Sequence, residues 1–135
     1  MRSRLRGNDA GAAVVDFAMM SILLVMLLLA VLQTAVYFYA RNVAAASAAD
    51  AARYAAAAGV DPRAGGPHAE QLIRAGLGDA DAAAIHCVGT PGRDPASGLP
   101  ITTVHCTGHL GLLFLPIHLP LTVDVTSSVL KERRP

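Results

Sequence analysis

Residues Ala12–Leu32 read AAVVDFAMMSILLVMLLLAVL, 21 residues carrying one charge, Asp16, and one hydroxyl, Ser21. A bilayer core of roughly 30 Å takes about 20 helical residues to cross, so the stretch is long enough to span. It contains neither Pro nor Gly, and Leu, Met and Ala are good helix formers. Backbone groups in lipid must be satisfied within the segment, which leaves the helix as the one single-segment solution. The stretch therefore predicts a transmembrane helix, with the span placed at residues 12–34.

The flanks give an orientation. Arg2, Arg4 and Arg6 precede the span, with Asp9 the only acid before Asp16. Beyond it the first charges, Arg41 and Asp50, cancel. The positive-inside rule then puts the N-terminus in the cytoplasm and the remainder outside. A cleaved secretory signal would have a shorter apolar region, roughly 7–15 residues, followed by a small-residue cleavage site. Here helix-forming residues follow directly, so the segment reads as a signal anchor of a single-pass cell-membrane protein.

The helix does not stop at the membrane. Tyr37 and Tyr39 lie just past the apolar core, where amphipathic aromatics favour the interface. Alanine dominates from Ala44 to Ala58. Asp50 and Arg53 form an i,i+3 pair, and Gly59 followed by Pro62 is a stop signal. The expected helix covers residues 10–58, roughly 70 Å at 1.5 Å per residue. Two compatible reasons for that length follow: Ala-rich faces let helices approach closely, so the helix packs on copies of itself or related subunits; or it is a rigid stalk with one face docked on its own domain.

Composition limits what the rest can be. The chain has 135 residues, 53% hydrophobic and 16% charged, with a net charge of +1. A nucleic-acid surface needs clustered Lys and Arg, so nucleic acid is excluded as a partner. The chain divides into a cytoplasmic leader (1–11), the span (12–34), an extracytoplasmic Ala-rich continuation (35–58) and a small domain (59–135). A domain of that size has a thin core and needs a disulfide or a helix to dock on.

In that domain, residues 67–75 (PHAEQLIRA) predict a short helix with Pro at an early position and Gly76 as its stop. Gly65-Gly66 before it reads as a hinge. Strands are expected at 84–88 (AIHCV), 101–107 (ITTVHCT) and 119–129, the last with Leu121, Val123 and Val125 on alternate positions. Residues 90–100 (TPGRDPASGLP) read as a loop. Residues 108–120 (GHLGLLFLPIHLP) are apolar but broken by Gly and Pro, suited to covering the sheet or touching the membrane. The fold class is α+β: a long N-terminal helix followed by a small antiparallel sheet with a short helix.

Cys87 and Cys106 sit in the first two strands. If these pair as a hairpin, a disulfide closing about 20 residues contributes about 3 kcal/mol in the chain-entropy model. The repeated dipeptides His86-Cys87 and His105-Cys106 raise zinc as a minor reading. Adjacent strand residues point to opposite faces, and the spacing lacks the form of structural zinc sites, so no metal or other cofactor is expected. No nucleophile elbow, Walker loop or metalloprotease motif is present. His68, His86, His105, His109 and His118 are scattered, so no catalytic residue is assigned and the chain does not read as an enzyme. The tail, Lys131 to Pro135, reads as a solvated end.

The N-terminal motif carries a resemblance. Gly11-Ala12-Ala13-Val14-Val15-Asp16-Phe17 follows a short Arg-containing leader. It resembles the processing site of type IV prepilins, in particular the TadE-like pseudopilins of Tad (tight adherence) systems. In that family a membrane-embedded peptidase cuts after a Gly, and the fifth mature residue is usually Glu followed by an aromatic. The resemblance implies cleavage between Gly11 and Ala12, with Asp16 as the subunit-pairing acid and Phe17 as the aromatic. Asp in place of Glu shortens the reach by one methylene. The implied acid compensates the new N-terminal amine of a neighbouring subunit; two opposite charges in a low-dielectric bundle each offset the other's desolvation.

The implied function is a pilin or pseudopilin, a structural subunit of a Tad-type pilus or related envelope assembly that packs through its N-terminal helix. The implied partners are the prepilin peptidase, the pilus assembly ATPase with its membrane platform, other pilins or pseudopilins, and the lipid bilayer. The rival reading is a signal-anchored extracytoplasmic binding module that is neither processed nor polymerised.

Overall fold

The structure is a computed structural model that describes residues 9–111 and 121–132. Helix α1, Asp9–Ala56, runs without a break for 48 residues, about 72 Å of helix at 1.5 Å per residue. After a single 3-10 turn, Pro62–Ala64, come helix α2 (Gly65–Leu77), the one-turn helix α3 (Asp79–Ala82) and strands β1 (Ile85–Arg93), β2 (Pro100–Leu110) and β3 (Leu121–Leu130). The strands form an antiparallel meander in the order β1-β2-β3. The α+β class and the long N-terminal helix are as the sequence predicts. The leader arginines, residues 112–120 with His118, and residues 133–135 lie outside the described residues.

The second half of α1 is the spine of the domain. Ala40, Ala44, Ala48, Ala51 and Ala55 recur at steps of three and four and are all buried, which is one face of a helix. Against them lie Ile73 of α2 and Val104, Cys106 and Val123 of the sheet. Alanine suits this seam because its short side chain lets the helix backbone approach the sheet. The stalk reading of the Ala-rich segment is therefore what the structure presents for this face.

α1 and the sheet run alongside each other. The Tyr37 hydroxyl donates to the Thr122 carbonyl at 3.2 Å, and Lys131 Nζ donates to the Ala55 carbonyl at 2.7 Å. Tyr37 to Ala55 is about 27 Å of helix; Thr122 to Lys131 is about 30 Å of strand. The matching lengths place the β2–β3 end of the sheet beside Tyr37 and the β1–β2 hairpin at the far end of α1.

Several sequence expectations need correction. Gly65-Gly66 is no hinge: both residues are buried in the first turn of α2. A Cβ on Gly66 would lie 2.6 Å from the Cys87 carbonyl oxygen, and one on Gly65 would lie 2.7 Å from Val104 Cγ2. They are small so that α2 can lie against β1 and β2. Gly76 does not stop α2, which ends at Gly78 with φ +84°, a conformation glycine adopts at little cost. The expected loop over 90–100 shrinks to a turn between Arg93 and Pro100, because both strands extend into it. Pro91 is tolerated because β1 is an edge strand. Gly108, His109 and Leu110 belong to β2 rather than to the connection after it.

Lys131 and Glu132, the described part of the tail, are not free either. Lys131 Nζ donates to the carbonyls of Ala55, Ala57 and Val60, and the Glu132 amide donates to the Ala56 carbonyl at 2.9 Å. The last carbonyls of a helix have no partner within it and carry the negative end of its dipole. A lysine from the end of β3 supplies both donors and charge, tying the last strand to the end of α1.

Candidate functional site

Gly11, Ala12, Asp16 and Phe17 all lie on α1, near its start. Ala12 and Asp16 are four residues apart, so they share a face, about 6 Å apart along the axis. Phe17 is 74% exposed, and Asp16 is exposed beside it. Every residue from Gly11 to Leu32 is exposed except Ser21 and Leu29, which are half-buried. Two hydroxyls on this stretch and its edge are satisfied within the helix: Ser21 Oγ donates to the Phe17 carbonyl and Thr34 Oγ1 to that of Ala30, both at 2.8 Å. Such back-bonding leaves no free hydroxyl donor to desolvate in lipid.

The result is an uncovered apolar cylinder. Met20, Leu23 and Leu24 are each about two-thirds exposed or more. Full burial of one such side chain is worth about 1.5–3 kcal/mol, so a surface this continuous demands a covering phase. The helix is long and apolar enough to cross a membrane.

The first buried residue after the apolar run is Gln33, which is 6% exposed. A cleft of about 200 Å³ opens here, walled by Gln33, Val36, Tyr37 and Ala40 of α1, Gly76 and Leu77 of α2, Asp81, and Leu110, Gly111 and Leu121 at the sheet's end. Tyr39 bonds the Gly76 carbonyl at 3.1 Å. The two tyrosines expected at the membrane interface thus also fasten the helix to its domain at that level.

Cys87 and Cys106 face each other as direct partners across β1 and β2. Their Cα atoms are 4.1 Å apart and their Sγ atoms 2.05 Å, a disulfide distance. Both are buried on the face toward the helices, whereas His86 and His105 point to the open face. There His105 Nε2 lies 3.0 Å from Asp124 Oδ1. Among the described residues no group of three or more His, Cys, Asp or Glu side chains is gathered as metal ligands.

Two local contacts escaped the sequence. Glu70 Oε1 accepts the Cys87 amide at 3.0 Å, which covers a donor on the edge strand. In the β1–β2 turn, Asp94 accepts hydrogen bonds from the Ser97 hydroxyl and amide. The Ser97 hydroxyl, then its amide, hold the Asp94 carboxyl below the usual carboxylate range. An Asp followed three residues later by Ser is the local signal for such a turn.

These features define a class: a long helix with a bare apolar half, fused to a small α+β domain built around its other half. The model of the TadE-like protein family matches residues 11–53. The segment that resembles TadE-like proteins by its motif is thus TadE-like by that comparison as well. The match begins at Gly11 and covers both the bare and the docked parts of α1. The family is a structural, pilus-associated one rather than an enzymatic one. No curated protein and no solved structure matches the chain.

Proposed function

We propose that this protein is a pilin-like structural subunit of a Tad-type pilus or a related envelope assembly. The chain inserts with its N-terminus in the cytoplasm and its domain outside. The prepilin peptidase trims it between Gly11 and Ala12. The assembly ATPase and membrane platform then move α1 from lipid into a bundle of pilin or pseudopilin helices, where Asp16 faces a neighbour's new amine. The observation that carries this reading is the TadE-like match over residues 11–53, whose first part coincides with the bare stretch of α1.

The physical support is the division of labour along one helix. One face of the Ala-rich half is taken up by its own domain, while the apolar half is bare all round and serves equally as a span and as the core of a filament. Cys87 and Cys106 close the hairpin of the exported domain as a disulfide, as suits an oxidising compartment.

Replacing Gly11 by leucine tests the processing step. A Cβ at Gly11 meets no atom within 4 Å, so the helix accepts the change and an effect reports on the peptidase. The expected result is accumulation of the uncut chain and its loss from surface filaments. Unchanged gel migration together with unchanged assembly would favour the rival, an anchored binding module.

A further inference from the structure

We infer that the base of the domain, at the β2–β3 end of the sheet and the C-terminal end of α2, is a lipid-contacting surface that seats the domain on the bilayer. The inference rests on α1 spanning the membrane as read above. It follows from the absence of any linker. The apolar run ends at Leu32, and the next residue, Gln33, is already buried against the domain. A domain that starts where the span ends, on an unbroken helix, has its lower end in the headgroup layer.

What lies there fits that layer. Val36, Leu77, Leu110 and Leu121 line the basal cleft, with Gln33 and Asp81 as its polar groups, a mixed surface of the kind the headgroup layer takes. Tyrosine is an interfacial residue, and here the hydroxyls of Tyr37 and Tyr39 donate to the domain's own carbonyls. Arg74, Asp79 and Asp81 stand at the polar edge of the base; the far end carries Arg63, Asp94, Lys131 and Glu132. Sheet and helix run alongside each other, so the far-end charges stand about 30 Å farther out, the length of the strands. Interfacial elements sink their apolar face about 5–10 Å into the headgroup–acyl boundary, enough to take in the basal cleft and too little to reach the far turn. The occupant is therefore the bilayer surface, held against the cleft for as long as the subunit resides in the membrane.

The test uses the full chain in phospholipid nanodiscs, with single added cysteines carrying an environment-sensitive fluorophore. The sites are Leu32→Cys in the span, Gly111→Cys at the base and Ala96→Cys at the far turn. A Cβ at Gly111 meets nothing within 4 Å, so the backbone there accepts a cysteine. With a shallow lipid-borne quencher, the Gly111 probe is expected to lose fluorescence to an extent comparable with the Leu32 probe, while the Ala96 probe keeps its signal. Quenching at Leu32 with none at Gly111 overturns the seated base and leaves the span intact. A Gly111 probe shielded from water but untouched by lipid quencher means protein covers the cleft, which also overturns it. No quenching at any site removes the span and the proposal together.

Discussion

Replacing Gly66 by alanine sets two known effects against each other. In an ordinary helix the change gains up to about 1 kcal/mol, because glycine costs that much relative to alanine. Here the added Cβ would lie 2.6 Å from the Cys87 carbonyl oxygen and 3.1 Å from the Gly89 nitrogen. Both are backbone atoms of β1, which is held by its pairing with β2, so neither yields as a side-chain tip would. Reaching ordinary contact requires α2 to move away from the sheet, and overpacking of this kind costs about 1–3 kcal/mol, occasionally more. The clash wins, with a net loss of about 1–2 kcal/mol, equivalent to a factor of about 5–30 in the folded-to-unfolded ratio. Amide hydrogen exchange of the β1–β2 ladder, measured on the full chain in nanodiscs, reads that factor as lost protection. Gly111→Ala is the matched control, since its Cβ meets nothing, and it leaves protection unchanged. Equal or greater protection in Gly66→Ala would refute the close seating of α2 on β1.

Other outcomes follow from the same contacts. Replacing both Cys87 and Cys106 by serine removes a cross-link over 19 residues of separation and costs about 3 kcal/mol in the chain-entropy model, visible as a lower denaturation midpoint of the domain. Lys131→Met keeps the stem but removes the donors to Ala55, Ala57 and Val60; a loss of about 1–2 kcal/mol is expected from charged hydrogen bonds partly replaced by water, with faster exchange confined at first to the last turn of α1. Asp94 titrates by NMR below the ordinary aspartate value, and Ser97→Ala raises it, since the Ser97 hydroxyl is the largest cause of the shift. A carboxyl whose folded value is depressed contributes stability above its unfolded value and loses it as pH falls through the folded one, so the turn loosens only in acid.

The long helix was legible because its signal is compositional: an uninterrupted apolar run followed by alanine needs no tertiary information. Which face of residues 40–56 meets the domain was not, because a segment that is mostly alanine has no hydrophobic period to read. Gly65-Gly66 was misread for a related reason. Flexibility and close approach both select glycine, and only the position of β1 separates them. The strands were placed by their β-branched residues, but their ends were not, since pairing with β2 carries β1 through Pro91 and Gly92. Lys131 looked like a solvated end because its partners lie more than 70 residues earlier. The N-terminal motif, by contrast, is local, and the TadE-like resemblance read from it agrees with the family match over residues 11–53; the roles proposed for Gly11, Ala12, Asp16 and Phe17 rest on that resemblance.

The account turns on what happens at Gly11. Intact-mass and N-terminal peptide analysis of the protein from cells that contain the prepilin peptidase measures it directly. A mature chain beginning at Ala12, with Asp16 as its fifth residue, is the predicted result; a chain that retains the leader from Met1 in those cells would contradict it.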